Sequence, residues 1–351
     1  MRTRIASILM AAAACSGALA QSCPGDIDGN GEVDGEDLGI LLSAWGRCTP
    51  GAPTCPSDLN GDAFVNADDL GLLLGQWGCP TLVPAWASLV EALPDPAVVT
   101  DAKLRADIIA TRYAWRVRDT ATQIEMLLVP PGTFQMGCSA SDQHGCAADE
   151  GPVHPVTLTN PFYLGRHEVT QAQWIARMGS NPSFFTAASA QVPVPQVATR
   201  PVERVTWSQA QGFLASTGMR LPTEAEWEFA CRAGTGTAFA NGSDAEAAVA
   251  DVAWTSGSAL GQTWPVGLKP GNRLGFHDMH GNVWEWVSDW YSASYYASSP
   301  TVDPAGPATG TFRVFRGGSW NYEARHARSS CRFTDIPGYS RFTGFRVARN
   351  P

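Results

Sequence analysis

The sequence predicts an α+β, loop-rich large domain behind a small all-α module. Three observations predict this. Two short acidic segments near the start are close duplicates, and each leads into a brief apolar helix. The later chain is rich in Gly, Pro and Asn turns between short apolar runs, without a long helical period. Within it, Thr170-Gln-Ala-Gln173 and Thr223-Glu-Ala-Glu226 are capping boxes. Each opens a helix, one running to Met178 before Gly179 and the other to about Arg232 before Gly234.

The chain opens with Arg2 and Arg4, an apolar run from Ile5 to Ala14, and Ala18-Leu19-Ala20. That order is a secretory signal with a small-x-small cleavage site, so residues 1–20 are expected to be removed and the protein secreted or held at the cell surface. A lipid anchor on Cys15 is the weaker alternative, because Ala12 stands where a Leu is expected. No later apolar run reaches the length of a membrane span.

Residues 21–80 hold ten acidic side chains against Arg47 alone, which accounts for the whole formal charge of −9. The remaining chain is balanced, and no basic patch points to nucleic acid. In the first acidic loop, oxygen side chains fall at positions 1, 3, 5, 9 and 12: Asp26, Asp28, Asn30, Asp34 and Asp37. In the second they are Asp58, Asn60, Asp62, Asn66 and Asp69. Such spacing wraps a hard cation such as Ca2+, which takes six to eight oxygens. Only the helix after each loop is present, ending at Trp45-Gly46 and Trp77-Gly78.

The unit over residues 21–80 resembles the dockerin module, a duplicated calcium-loop fold that binds cohesin domains. The resemblance implies two Ca2+ ions, with the carbonyls of Glu32 and Phe64 at position 7, and backbone pairing of the loops through Val33 and Val65. Position 6 of the second loop is Ala63 rather than Gly, which predicts backbone strain there. A partner-binding role and a calcium-stiffened spacer both remain open. Residues 81–120, which follow Pro80 and contain Pro84, Pro94 and Pro96, read as a linker with a short helix.

Eight cysteines remain after cleavage, and an exported chain uses them as disulfides. The simplest pairing is Cys23–Cys48, Cys55–Cys79, Cys138–Cys146 and Cys231–Cys331. The six histidines, His144, His154, His167, His277, His280 and His326, show no metal-pair spacing.

Over residues 121–351 several segments occur in a set order. They are Val129-Pro-Pro-Gly-Thr-Phe-Gln-Met-Gly137, Phe162-Tyr-Leu-Gly-Arg-His-Glu-Val-Thr170, Asn181-Pro182, Pro201-Val-Glu-Arg-Val-Thr-Trp207, Arg220-Leu-Pro-Thr-Glu-Ala-Glu-Trp-Glu228, Asp278-Met-His-Gly-Asn-Val-Trp-Glu-Trp286, Arg316-Gly-Gly-Ser-Trp320 and Gly344-Phe-Arg346. Together they resemble the formylglycine-generating enzyme, or sulfatase-modifying factor, family, whose fold is a C-type-lectin variant. The founding reaction of that family oxidises a sulfatase cysteine with O2, using Cu(I) on two thiols. Soft thiolates suit that ion, yet Tyr322 and Ala327 stand where the two thiols belong. Copper is therefore not expected.

The resemblance further implies a Ca2+ site from Asp278, Gly281, Val283 and Glu285, and a groove containing Ser319 and Trp284. Core packing is the competing reading for Trp284, as for Trp286 and Trp290. Arg325 and Arg328 fall beside that groove and are candidates for a peptide or carbohydrate ligand, whereas Arg316 and Arg346 read as fold-internal pairs. The expectation is a non-catalytic binding or structural protein with a carbohydrate-related role. The alternative is an oxidase acting on sulfatase cysteines or another substrate.

Overall fold

The computed structural model describes residues 24–28, 33–48, 55–77, 81–139, 142, 144–245, 248–339 and 341–351. The expected leader over residues 1–20, Asn30, Glu32, Cys23 and Cys79 lie outside them.

The N-terminal module is mixed rather than all-α. Helix α1 (Gly35–Ser43) and helix α2 (Ala67–Gly75) are joined by a two-residue ladder of strands β1 (Gly46–Arg47) and β2 (Phe64–Val65). Val65 pairs with Gly46, so its partner lies after the first helix and not in the first loop. The same ladder corrects the cysteine pairing. Cys48 N donates to Ala63 O, which lays Cys48 beside the second loop, and Cys48 bonds to Cys55 with Cα atoms 6.0 Å apart. This rules out both Cys23–Cys48 and Cys55–Cys79. Val33, Leu41, Leu59, Val65 and Leu73 form a separate small core, and a core of that size needs a covalent or ionic staple. Leu42, Trp45, Leu74 and Trp77 each remain about half exposed, at matching positions of the two repeats.

Residues 81–120 are not a linker. Strand β3 (Ala87–Glu91) and strand β4 (Arg116–Asp119) form the outer part of an antiparallel sheet, with helix α3 (Ala102–Ala110) between them. Strand β5 (Glu125–Val129) comes next, then the hairpin of β6 (Gly132–Met136) with β7 (His154–Leu158), then β8 (Phe162–Gly165). With the terminal β13 (Ala348–Arg349), the larger sheet runs β13-β8-β5-β4-β3. Strands β5 and β8 are buried on both faces and supply its apolar centre.

Helix α4 (Gln171–Met178) starts at the Thr170 box and ends on Gly179, which takes φ +71°. A single turn, α5 (Val194–Val197), is followed by α6 (Trp207–Ala215) and α7 (Glu224–Arg232). Helix α6 has a capping box of its own, Thr206 with Gln209, which the sequence reading passed over. The left-handed residue after α7 is Ala233, one position before the glycine expected there. A second sheet orders β11 (Phe333–Asp335), β10 (Arg313–Arg316), β9 (Trp284–Trp290) and β12 (Thr343–Gly344). One continuous core lies between the sheets and the helices, with Trp227, Trp284 and Trp286 fully buried in it.

Arg105 of α3 joins the module to the large domain. It is buried, its Nε donates to Asn60 O of the second acidic loop, and its Nη1 donates to Val99 O at 2.6 Å. A Cβ on Gly61 would lie 3.2 Å from both Arg105 Nε and Pro96 Cβ, so a side chain there would press on this junction.

Ala63 adopts φ +70°, a region that costs an L-residue about 1–2 kcal/mol. Ala63→Gly should stabilise the module by about 1 kcal/mol, seen as slower hydrogen exchange of the α2 amides with the large-domain amides unchanged.

Candidate functional site

The Gly317-Gly318-Ser319 turn places the loop after β10. Both glycines take positive φ, +94° and +79°. A Cβ on Gly318 would lie 2.9 Å from Ala327 Cα and 3.0 Å from His326 O. Only glycine lets the turn close against residues 324–327. Ala327 is fully buried with Ala238, Phe239, Val249, Ala253 and Ala324. Its carbonyl lies 2.6 Å from His280 Nδ1, while His280 Nε2 accepts from Ala240 N. The imidazole is thus held as a neutral donor–acceptor bridge, and burial pulls its pKa down to about 4.

Tyr322 stands against an aromatic cluster. Its ring centroid is 5.4 Å from Trp284, 5.3 Å from His326, 5.7 Å from Phe333 and 5.9 Å from Phe342. The positions assigned to copper thiols therefore hold an aromatic wall and a core methyl. Ser319 and Trp284 do not line an open groove: both are buried, and Trp284 packs on Phe315 and Phe333. The Ser319 hydroxyl and the Trp284 indole N–H have no hydrogen-bond partner among the described residues. Trp286 is core too, while Trp290 stacks on Arg313 at 3.4 Å.

The two thiols left over are not bonded to each other. Cys231 and Cys331 are both buried and free. The Cys231 sulfur faces Ser329 Oγ at 3.5 Å and His280 Nε2 at 3.8 Å. Burial pushes each thiol up to about 12, so neither is a ready thiolate ligand or nucleophile. Cys138 and Cys146 are bonded.

The arginines separate cleanly. Arg328 is not a groove ligand: it is buried and forks onto Glu150 at 2.6 Å through both nitrogens, with Asp142 at 2.8 Å. It ties the Cys138–Cys146 loop to the core. Arg325 is exposed and pairs with exposed Glu323. Arg316 reaches Glu224 at 2.7 Å and Glu228 at 2.5 Å with no exposed surface. Arg346 clasps Glu285 at 2.6 Å.

That clasp bears on the calcium site expected in the large domain. Both Glu285 oxygens are engaged, by Arg346 and by the Trp227 indole N–H at 2.7 Å. Glu285 does not fit as a free cation ligand. Asp278 does: it is buried, one oxygen accepts from Gly267 N at 2.7 Å, and the other has no partner among the described residues. Burial raises the Asp278 carboxyl to about 6 and pushes neighbouring Glu168 well above the usual range. Gly281, at φ +86°, packs so tightly on Trp254 that a Cβ would lie 2.3 Å from its carbonyl oxygen. Val283 N donates to Glu168 at 3.0 Å.

In the first acidic loop, carboxylate oxygens of Asp26, Asp28 and Asp37 lie within 4.8 Å of one another, a spacing that fits a cation. Asp34 caps α1 and Asn66 caps α2. Asp37 accepts from the amides of Ile27, Asp28 and Asp34, and Asp69 accepts from those of Leu59, Asn60 and Asn66. Each position-12 carboxylate thus folds its loop onto the helix that follows. Asp58 accepts from Gly61 and Ala63, and Asp62 accepts from Phe64 N. Phe64 sits in β2 opposite Arg47.

A second feature was not anticipated. Phe184, Phe185, Glu203, Arg204, Trp320, Asn321, Arg341 and Phe342 line a cleft of 340 Å3 beside the aromatic cluster. The signal available in the sequence was the Phe184-Phe185 pair after Asn181-Pro182.

Arg328→Ala should cost about 3–5 kcal/mol, because it strands the buried Glu150, whereas Arg325→Ala should change stability by less than about 0.5 kcal/mol. Urea denaturation of the two variants checks both.

The family model for the sulfatase-modifying factor enzyme 1-like domain matches residues 114–351. The formylglycine-generating enzyme of Streptomyces coelicolor is 33% identical over 298 residues, covering 68% of this chain and 92% of that enzyme. The serine/threonine-protein kinase pkn1 of Chlamydia pneumoniae is 35% identical over 246 residues, 64% of this chain. The aligned part spans 38% of that kinase's length. Among solved structures, Treponema denticola variable protein 1 superposes with a TM-score of 0.58 at 29% identity, covering 65% of this chain and 95% of that one. PvdO from Pseudomonas aeruginosa gives 0.57 at 29%, covering 67% and 98%. With its mixed α+β, C-type-lectin-like fold, this chain belongs to the sulfatase-modifying factor family.

Proposed function

We propose that this chain is a non-catalytic, ligand-binding member of the family. One observation carries the reading: Tyr322 and Ala327 fill the places of the copper thiols, the first packed among aromatic rings and the second sealed in the core. A phenol and a methyl cannot hold a soft monovalent ion. Cys231 and Cys331 do not substitute for the pair, since both thiols are buried and shifted toward the protonated form. A ligand has an open place to bind in the cleft beside Trp320.

The acidic module fits a calcium-stabilised, dockerin-like unit on a secreted or cell-surface protein. The convergence of Asp26, Asp28 and Asp37 supports a cation in the first loop, and the unpartnered Asp278 oxygen supports one in the large domain. There the cation would draw on Asp278 and the carbonyls of Gly281 and Val283, and Glu285 would stay with Arg346. A Ca2+ ion in these places supplies charge neutralisation and loop order. The half-exposed Leu42, Trp45, Leu74 and Trp77 are the surface a cohesin-type or cell-surface partner would cover.

The second reading, an oxidase acting on a sulfatase cysteine or another substrate, draws on the 33% identity to the Streptomyces coelicolor formylglycine-generating enzyme. Anaerobic Cu(I) titration followed by oxygen-uptake assays with a cysteine-containing sulfatase peptide decides between them. We expect no stoichiometric copper and no peptide-dependent oxygen uptake; tight loading with turnover refutes the binding reading. Chelation with EGTA should lower the thermal midpoint, and Ca2+ should restore it where Mg2+ does not. An unchanged midpoint removes the calcium part alone.

A further inference from the structure

The cleft beside Trp320 has a pattern that names a ligand class. Four rings run edge to face along it. Phe184 meets Phe185 at 5.1 Å, Phe185 meets Trp320 at 5.1 Å, and Trp320 meets Phe342 at 5.7 Å. A guanidinium stands at each end: Arg204 lies 4.6 Å above the Phe184 ring, and Arg341 lies 5.9 Å from the Phe342 ring centre. Phe184 is 61% exposed and continuous with the other three rings, and a contiguous exposed aromatic surface marks a binding site.

The cleft is held in shape from beneath. Glu203, almost fully buried, accepts the amide hydrogens of both Phe184 and Phe185 and so fixes the aromatic tip. Its other oxygen lies 3.8 Å from Arg204 Nε, too far for a close ion pair. Arg341 has no ion pair among the described residues. Both guanidiniums therefore keep donors for an incoming anion. Arg204 is also held at φ +59°, a costly backbone state for a long side chain that the surrounding structure must impose.

We infer that this cleft binds an acidic oligosaccharide, with sugar rings against the Phe184–Trp320 surface and carboxylate or sulfate groups on Arg204 and Arg341. The inference rests on the ligand-binding reading above and gives it a substrate class. Aromatic faces accept the apolar faces of sugar rings, and guanidinium forks match the planar geometry of carboxylates and the oxygens of sulfate. An acidic peptide is the less favoured occupant. Its carboxylates would satisfy Arg204 and Arg341, but a run of acidic side chains presents no apolar face to the Phe184, Phe185, Trp320 and Phe342 rings that line the cleft.

The test is titration calorimetry on the full chain with four probes: a chondroitin sulfate hexasaccharide, its unsulfated counterpart, neutral xylohexaose and hexaglutamate. At least one acidic saccharide should bind, and more weakly as salt rises, while xylohexaose should not. Equal binding of the sulfated and unsulfated forms assigns the carboxylate as the recognised group; binding of the sulfated form alone assigns the sulfate. Arg204→Gly, which suits the local backbone, and Arg341→Ala should each weaken binding at least about tenfold, the loss of one charge-assisted contact. Circular dichroism and the thermal midpoint check that both variants remain folded. Equal affinity for xylohexaose, binding of hexaglutamate alone, no saccharide binding, or unchanged affinity in both folded variants overturns the inference. Oxygen uptake on the same sample keeps the two readings apart: turnover of the sulfatase peptide sinks the non-catalytic reading, whereas inert copper chemistry without saccharide binding sinks only this one.

Discussion

A buried lattice of ion pairs holds the large domain in register. Arg316, at the end of β10, reaches Glu224 and Glu228 on α7. Arg332 forks onto Glu224 from the following loop, and Arg232 reaches Glu228 from within the same helix. Three guanidiniums thus share two carboxylates, and further donors reach the carbonyls of Ser329, Asp149 and Gly137. Any one of these charges alone would be costly in the interior; together, with all of these donors except Arg316 Nε directed at an acceptor, they become tolerable. Loop-rich folds have few ladder hydrogen bonds to fix long connections, and here charge-assisted contacts take that role.

The same lattice explains the form of the site. The turn at Gly317-Gly318 leaves β10 immediately after Arg316, so its course is set by an immobile side chain. From there the chain passes Ser319, turns at Tyr322 and returns through Ala327 to the paired Arg328. Both ends are anchored by buried guanidiniums, and the middle is packed with rings. The aromatic surface is half-buried at Tyr322, Phe333 and Phe342 and continues past Trp320 and Phe185 to the exposed Phe184.

The parts of the fold legible in the sequence were those written in local chemistry. Thr170 and Thr223 marked two helix starts because a cap is a contact between neighbours. Motif order located the family domain, and the bonded Cys138 and Cys146 are close in sequence. What stayed hidden depended on distant partners. Strand β3 was invisible among its prolines because its reason for existing is β4, on the far side of a helix. Cys48 found Cys55 because β1 pairs with β2. Arg328 read as a groove residue because Glu150, its partner, lies far back along the chain. Glu285 carried the right oxygens for a cation, but Arg346 occupies them.

The contact of Arg105 with Asn60 couples the second acidic loop to α3. A partner that seized the module would be pulling on a buried side chain of α3, which connects β3 to β4 at the edge of the larger sheet. Load would pass to that sheet edge through a buried side chain, instead of being spent in stretching a slack tether.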